Sequence, residues 1–253
     1  MKNSVLIGLM ALVWLVLMVN IVWDGTDGRW QITDTERIAQ LEVAKYTNQI
    51  MVVVVSEEDT RLCLYERDME DAEWKENLSK NNVNGVQTNE NEDWKLVLET
   101  EAVIGKNGLG KTKEGDGKTP VGSFLFVKAF GILENPGTKI EYVQVNESHY
   151  WVDDSSSDYY NQFVSVGAVV KDWQSAEHIC DYDESYNYVL ATSYNLEQIP
   201  GKGSAVFLHC LSEEARATAG CVAIPEGYMR EIMKRVESKC VIIIDYVENI
   251  QSY

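Results

Sequence analysis

Basic residues and histidines are scarce in this sequence of 253 residues. Lysine and arginine together number 22 against 40 aspartate and glutamate residues, and the formal net charge is −18. Binding to nucleic acid requires clustered basic residues, so this balance excludes DNA and RNA as expected partners. The acidity is instead typical of a well-solvated surface. Because the chain has three histidines, candidates for a catalytic base are few.

Closely spaced cysteines are also missing. The chain has five cysteines, namely Cys63, Cys180, Cys210, Cys221 and Cys240. They form no CxxC pair and no cluster with histidine at the spacing of a zinc site, so we expect neither a metal nor another cofactor. An odd number leaves at least one thiol unpaired outside the cell. Two of Cys63, Cys180 and Cys240 either form a disulfide there or stay reduced in the core.

A long apolar segment stands at the beginning of the chain. Ser4 to Trp23 are twenty nearly unbroken apolar positions. A helix of this length spans about 30 Å, the thickness of the hydrocarbon region of a bilayer. No small-x-small cleavage site follows, so residues 1–23 are predicted to be a transmembrane signal anchor rather than a cleaved signal peptide. Lys2 precedes the span and Asp24 follows it, which places the rest of the chain outside the cytoplasm.

The rest of the sequence predicts a stalk followed by one mainly β domain. A capping-box pattern at Thr33–Glu36 indicates that the stalk, residues 24–48, is partly helical. The domain is predicted to span residues 49–253. Within it, residues 68–93 are acidic and rich in asparagine, which favours a surface insertion over a second domain.

Apolar and β-branched runs predict the strands of this domain. They lie at residues 50–55, 61–66, 94–104, 123–129, 142–145, 188–193, 205–208 and 240–246. The one notable helix of the domain begins at Pro225, and its apolar residues recur at the spacing of a single core-facing stripe.

Residues 105–122 form a loop rich in glycine and lysine. Its first half, Gly105 to Thr112, matches the phosphate-loop pattern GxxxxGK[ST]. That pattern holds phosphates only where a helix begins at once, and here two further glycines and Pro120 oppose a helix. We therefore expect a turn-rich loop and not a nucleotide site.

One histidine and one cysteine indicate nucleophilic catalysis. His209 ends an apolar run, and Cys221 stands twelve residues later, directly behind Gly220. A thiolate nucleophile needs a base that takes its proton and a backbone that lets the substrate approach, which His209 and Gly220 would supply. From the residues alone, the alternative is two buried side chains on neighbouring strands. Cys210 is expected to point to the opposite face from His209, as a structural thiol.

Four blocks of the sequence, taken in order, carry a family likeness. They are the hairpin of residues 52–65, Gly105 with Lys118–Gly122, the strand that ends at His209, and Thr218–Val222. Together they resemble the L,D-transpeptidase catalytic domain, the YkuD-type family of bacterial cell-wall enzymes, in its branch with a short gap from histidine to cysteine. The resemblance covers about residues 50–247. It implies a β-sandwich-like fold, a cysteine nucleophile and peptidoglycan stem peptides as substrate.

The resemblance also implies roles for individual residues. Cys221 would attack a stem-peptide amide after His209 takes its proton, either during the attack or already in a resting thiolate–imidazolium pair. Backbone N–H groups around Gly220 would stabilise the oxyanion. Thr218 supports this turn by capping it, or else orients His209 through its hydroxyl.

Two further residues are candidates for substrate binding, and the family pattern is incomplete. His178 and Tyr194 are assigned to the substrate groove, with a structural histidine and a packed core tyrosine as the alternatives. The better-known members carry a second histidine where this chain has Ala219, and an arginine or asparagine shortly after the cysteine, where residues 222–224 are apolar. These departures concern the acceptor side of the reaction.

The resulting expectation is a single-pass membrane protein with its catalytic domain on the cell-wall side. The predicted activity is an L,D-transpeptidase that forms a thioester with a stem peptide and transfers it to an amine. The alternatives are a hydrolase of the same family, acting as an L,D-carboxypeptidase or amidase, and an inactive, membrane-tethered domain that binds peptidoglycan.

Overall fold

The described chain has a mainly β architecture with few helices, as predicted. The computed structural model describes residues 35–67 and 94–253. Its strands are β1 (Gln49–Val55), β2 (Thr60–Glu66), β3 (Lys95–Glu101), β4 (Gly122–Gly131), β5 (Tyr142–Gln144), β6 (His149–Val152), β7 (Phe163–Ser165), β8 (Ala176–His178), β9 (Val189–Thr192), β10 (Phe207–Cys210), β11 (Val222–Ile224) and β12 (Val241–Tyr246). Its helices are α1 (Thr35–Ala39) and α2 (Glu226–Arg235), with 3-10 turns at Glu42–Lys45, Ile179–Asp181 and Val247–Ser252.

The long strand β4 connects two parts of the larger sheet. This sheet has the order β11-β10-β9-β4-β12-β1-β2-β3, and β5 pairs with β4 outside that path. The first half of β4, Gly122–Leu125, pairs with β12, and its second half pairs with β9 and β5. The register shifts between Phe126 and Lys128, where the strand passes from one part to the other. Apolar residues from both parts therefore meet in one core, which the predicted stripe of α2 covers.

A second apolar cluster lies against the other face of β1 and β2. Ile38 of α1 and Leu41 are buried there with Ile50, Val52 and Tyr65. The alternation of β1 and β2 sends neighbouring side chains to the two clusters, which explains why every residue of β1 is buried. The described part of the predicted stalk therefore packs on the sheet.

Two predicted segments lie outside the described residues. These are the transmembrane anchor, residues 1–23, and the surface insertion, residues 68–93. In the ranges that the structure covers, none of the helices is long and apolar enough to cross a membrane.

The strands predicted from apolar runs are confirmed, with ends that differ by up to three residues, and so is α2. A separate three-stranded sheet, in the order β7-β6-β8, was not predicted. Its strands are three or four residues long and rich in aromatic and polar side chains, so they present no apolar run.

Candidate active site

Strands β10 and β11 bring His209 and Cys221 to one face of the sheet. The two strands are parallel, and their register pairs Leu208 with Val222 and His209 with Ala223. Alternation along the strands then places His209 and Cys221 on the same side. Cys210 lies on the opposite side in the main core, as predicted, whereas Cys221 belongs to a different cluster.

The Cys221 side chain is a buried, neutral thiol. It is 8% exposed, its Sγ donates to the carbonyl oxygen of Ala205 at 3.0 Å, and Sγ accepts from the backbone N–H of Phe207 at 3.3 Å. Burial raises the pKa of the thiol to about 12, and the nearby Glu177 carboxyl adds to this rise. The resting thiolate–imidazolium pair, one of the two states considered from the sequence, is therefore disfavoured.

Ala205 presents its carbonyl to this thiol from a strained backbone position. Its φ is +51°, in the left-handed region that residues with a Cβ rarely adopt. The side chain of Asn161 holds this conformation, because its Oδ1 accepts hydrogen bonds from the Ala205 N–H at 3.1 Å and from the Trp151 indole at 3.0 Å. No local pattern in the sequence indicates this role for Asn161.

His209 is held as a neutral imidazole. Its Nδ1 lies 2.8 Å from the carbonyl oxygen of Cys210, so Nδ1 carries the proton and donates. Nε2 is then the unprotonated nitrogen that a base requires. Burial lowers the pKa of His209 to about 4, against hydrogen bonds to the carbonyls of Cys210 and Ser185 that raise it. Among the described contacts, none is a hydrogen bond between His209 and Cys221.

Gly220 and Thr218 shape the turn before Cys221. Gly220 has φ of +150°, and a Cβ there would lie 2.7 Å from the carbonyl oxygen of Lys118, so no other residue fits without a shift of the backbone. The Thr218 hydroxyl donates to the Cys221 carbonyl at 2.7 Å and accepts from the Gly220 N–H at 3.1 Å. Thr218 thus caps the turn, the first of its two predicted roles.

One backbone donor remains for an oxyanion. The Gly220 N–H is engaged by Thr218, whereas the Cys221 N–H lies before β11 and takes part in none of the hydrogen bonds of the described residues. Of the two backbone donors predicted here, the Cys221 N–H is therefore the one without a partner among the described residues.

Thr119, in the loop block that carried the family likeness, braces the same turn. Its fully buried hydroxyl donates to the Cys221 carbonyl at 3.2 Å and accepts from the Gly105 N–H at 2.8 Å. This contact joins positions 102 residues apart in the chain. The sequence showed the Thr-Pro dipeptide but not its partner.

Sequence reasoning missed a carboxyl group that lies near enough to the Cys221 thiol to raise its pKa. Glu177 on β8 accepts a hydrogen bond from the Tyr186 hydroxyl at 2.6 Å, and burial raises the pKa of Glu177 to about 7. The Tyr186 ring also packs edge-on against His209, with ring centroids 5.4 Å apart. Neighbouring residues of a strand point to opposite faces, so Glu177 and His178 lie on opposite faces of β8. Since the sequence did not predict β8, it gave no sign that Glu177 faces the site.

The two predicted substrate-binding residues make contacts of a structural kind. His178 pairs with Asp181 at 2.9 Å, contacts the carbonyl of Glu147 at 2.9 Å and stacks on Tyr150. None of these contacts reaches Cys221 or His209. Tyr194 donates to the carbonyl of Lys202 at 2.8 Å.

Tyr194 also packs edge-on against Phe124 of β4, with ring centroids 5.9 Å apart. The structure brings neither His178 nor Tyr194 into contact with Cys221.

All five cysteines are free thiols, so the predicted alternative of reduced cysteines holds over a disulfide.

Comparison with known proteins identifies a family. The model of the L,D-transpeptidase catalytic domain family, YkuD, matches residues 82–244. Curated proteins give no match. Four solved chains match, among them a cysteine-to-serine mutant of the Enterococcus faecium L,D-transpeptidase, with 13% identity, a TM-score of 0.35 and coverage of 79% of this chain and 50% of that one.

Another matching structure is L,D-transpeptidase 3 from Mycobacterium tuberculosis in complex with a faropenem-derived adduct. It has 12% identity and a TM-score of 0.34, and the match covers 78% of this chain and 60% of that one. The chain thus spans about half to three fifths of the length of these solved relatives. On the family match, which covers well over half of its residues, the chain belongs to the L,D-transpeptidase catalytic domain family.

Proposed function

We propose that this chain is a peptidoglycan L,D-transpeptidase in which Cys221 is the nucleophile and His209 the base. One observation carries the proposal: a cysteine behind a glycine turn shares a sheet face with a histidine whose Nδ1 lies against a backbone carbonyl, the arrangement that assigns the role of base to Nε2. Membership of the family supports the substrate class, the stem peptides of peptidoglycan. We also propose that the two parts of the larger sheet pack against each other in the sandwich-like manner that the family resemblance implies.

In the first half of the reaction, the thiol becomes an acyl thioester. The Cys221 sulfur leaves the Ala205 carbonyl, its proton passes to Nε2 of His209, and the sulfur attacks the carbonyl carbon of the amide before the terminal D-amino acid. A C–S bond forms, the C–N bond breaks, and His209 returns the proton to the leaving amine. The Cys221 N–H stabilises the oxyanion, an interaction worth about 2.7–4 kcal/mol in well-studied enzymes.

In the second half, an amine resolves the thioester. A side-chain amine of a neighbouring stem peptide attacks the carbonyl, the new C–N bond forms, and the C–S bond breaks. The proton that the amine loses returns to the sulfur through His209. These two reaction steps need no oxidant or reductant, since the amide bond that forms replaces the amide bond that breaks.

A hydrolase is the second candidate, and one feature favours it. Ala219 stands where the better-known members have a histidine, and Val222 to Ile224 are buried and apolar. A chain without polar groups at these positions has fewer means to bind an acceptor amine, and water would then resolve the thioester. An inactive peptidoglycan-binding domain is the third candidate, and the intact pair of Cys221 and His209 argues against it.

The proposed location is the outer face of the cell membrane. Peptidoglycan stem peptides lie outside the cytoplasm, and the apolar segment of residues 1–23 would anchor the chain there.

Acylation by a carbapenem tests the nucleophile. Intact-protein mass spectrometry should show one adduct on the wild-type chain and none on Cys221→Ala. Cys180→Ala is the matched control, because Cys180 is the only one of the five cysteines that is not buried. This variant should acylate like the wild type. An adduct of unchanged yield on Cys221→Ala would overturn the assignment.

A further inference from the structure

A buried lysine is seated against the turn that carries Cys221. The Lys111 side chain is 3% exposed, and its Nζ lies 3.4 Å from the position that a Cβ on Gly220 would occupy. A Cβ on Gly203 would lie 2.4 Å from Cε of the same lysine. Lys111 therefore runs between two glycines, and the lack of a side chain at both positions gives it room.

Asp116 anchors the ammonium at a fixed position. Its Oδ1 lies 3.1 Å from Lys111 Nζ and also accepts from the Lys118 N–H, while its Oδ2 accepts from the N–H groups of Thr112 and Lys113. These bonds lower the pKa of Asp116, so its carboxylate stays charged. Because three backbone donors share that carboxylate, it offsets the positive charge of Lys111 only in part.

The Lys111 ammonium has N–H donors to spare. A lysine carries three N–H donors, and the Asp116 contact is the one hydrogen bond that Lys111 Nζ makes within the described residues. A buried ammonium with unused donors favours nearby negative charge.

The other charged and titratable groups around Cys221 do not provide a cation. Glu177 carries a carboxyl that opposes ionisation of the thiol. Tyr182 and Tyr186 are neutral, since burial raises the pKa of both. His209 is neutral at rest, since burial lowers its pKa to about 4.

We propose that Lys111 is a positioning residue that stabilises the negative charge on Cys221 once His209 has taken its proton. This inference rests on the proposed function for the identity of the nucleophile. The charge of Lys111 favours the thiolate, in agreement with its direction of effect on the pKa of Cys221. The phosphate-loop pattern of residues 105–112 then has a meaning without a nucleotide: its lysine is a buried cation against the turn that carries Cys221.

The rate of alkylation of Cys221 by iodoacetamide across pH 6 to 10 tests the proposal, with the modified peptide quantified by mass spectrometry. The thiolate is the minor form over this range, so the rate at each pH follows the thiolate fraction. Lys111→Met should raise the apparent pKa of Cys221 by about one unit or more, which lowers the rate near neutral pH about tenfold. Lys111→Arg should stay close to the wild type. Lys113→Met is the matched control on the same loop, because Lys113 is exposed, and it should change nothing.

A second variant separates charge from structural support. Asp116→Asn removes the charge that offsets Lys111, so it should lower the apparent pKa of Cys221, in the direction opposite to Lys111→Met. A merely structural lysine predicts no change in the alkylation rate at a given pH, or a change of the same sign in both variants, and either result would overturn the proposal. Alkylation needs no peptidoglycan substrate, so its outcome is independent of D-amino-acid release, which tests the proposed function itself.

Discussion

At the scale of single residues, burial sets the protonation states of Cys221 and His209, the proposed catalytic pair. Burial favours the neutral thiol of Cys221 and the neutral imidazole of His209, so both start uncharged at neutral pH. In the proposed reaction, transfer of the proton from Cys221 to His209 then creates a negative sulfur and a positive imidazole, and this charge separation has to be stabilised. The groups proposed for this stabilisation are the Cys221 N–H and the Lys111 ammonium.

The depressed pKa of His209 predicts how stability depends on pH. Its pKa is about 4 in the folded chain and 6.5 as the reference value, so the unfolded chain binds the proton first as the pH falls. The stability that His209 provides is complete above pH 6.5 and is lost as the pH falls towards 4. Between pH 7 and pH 5 the loss is roughly 2 kcal/mol.

Urea unfolding of the wild type and His209→Gln at pH 7 and pH 5 measures this loss. Glu177 acts in the opposite direction, because its raised pKa of about 7 makes the folded chain bind that proton first. Both proteins carry Glu177, so its effect cancels when the change in the free energy of unfolding of the variant is subtracted from that of the wild type. The stability of the wild type should fall by roughly 2 kcal/mol more than that of the variant over this interval. Equal pH dependence in both would show that His209 is not buried as a neutral group.

Sequence reasoning singled out the proposed catalytic residues and missed the residues that contact them. Cys221, Gly220 and His209 stand out because their residue types and order match a family pattern. Glu177, Asn161 and Lys111 act through contacts with residues that are distant in the chain. Such contacts depend on strand pairing and on backbone positions such as the positive φ of Ala205, which no local pattern reveals.

At the scale of elements, long apolar strands were predictable and short ones were not. The run of residues 50–55 predicts β1 because a central strand buried on both faces has apolar residues throughout. Strands β6, β7 and β8 have aromatic and polar residues over three or four positions, and mutual pairing defines them. The unpredicted sheet is the one that carries Glu177, which is why that carboxyl was missed.

The packing of α1 on the sheet predicts that this segment belongs to the cooperative fold. Ile38 is fully buried with Ile50, Val52 and Ile250. Ile38→Ala should lower the free energy of unfolding by about 2–5 kcal/mol, since it leaves a cavity in that cluster. Glu36→Ala, at an exposed position of the same helix, is the control and should change it by less than about 0.5 kcal/mol. Urea unfolding measures both, and an Ile38→Ala variant as stable as the control would mean that α1 detaches from the domain.

At the scale of the whole molecule, the proposed membrane anchor predicts where the chain is found. The full chain should sediment with membranes after cell disruption, whereas a variant without residues 1–23 should remain in the supernatant. The acidic body, with 40 acidic against 22 basic residues, gives little attraction to anionic lipid, so the anchor would be the attachment. Full-length chain in the supernatant, or a product shortened by its first residues, would contradict the anchor.

Release of the terminal D-alanine from a tetrapeptide stem tests the central claim most directly. The wild-type chain should release D-alanine and carry a peptidyl adduct on Cys221, visible by mass spectrometry, while Cys221→Ala should do neither. With an added amine acceptor peptide, a cross-linked product should appear at the expense of the hydrolysed stem. Hydrolysed stem alone would identify the chain as a carboxypeptidase. Stem peptide that binds but stays intact, with no adduct on Cys221, would contradict the proposed catalysis.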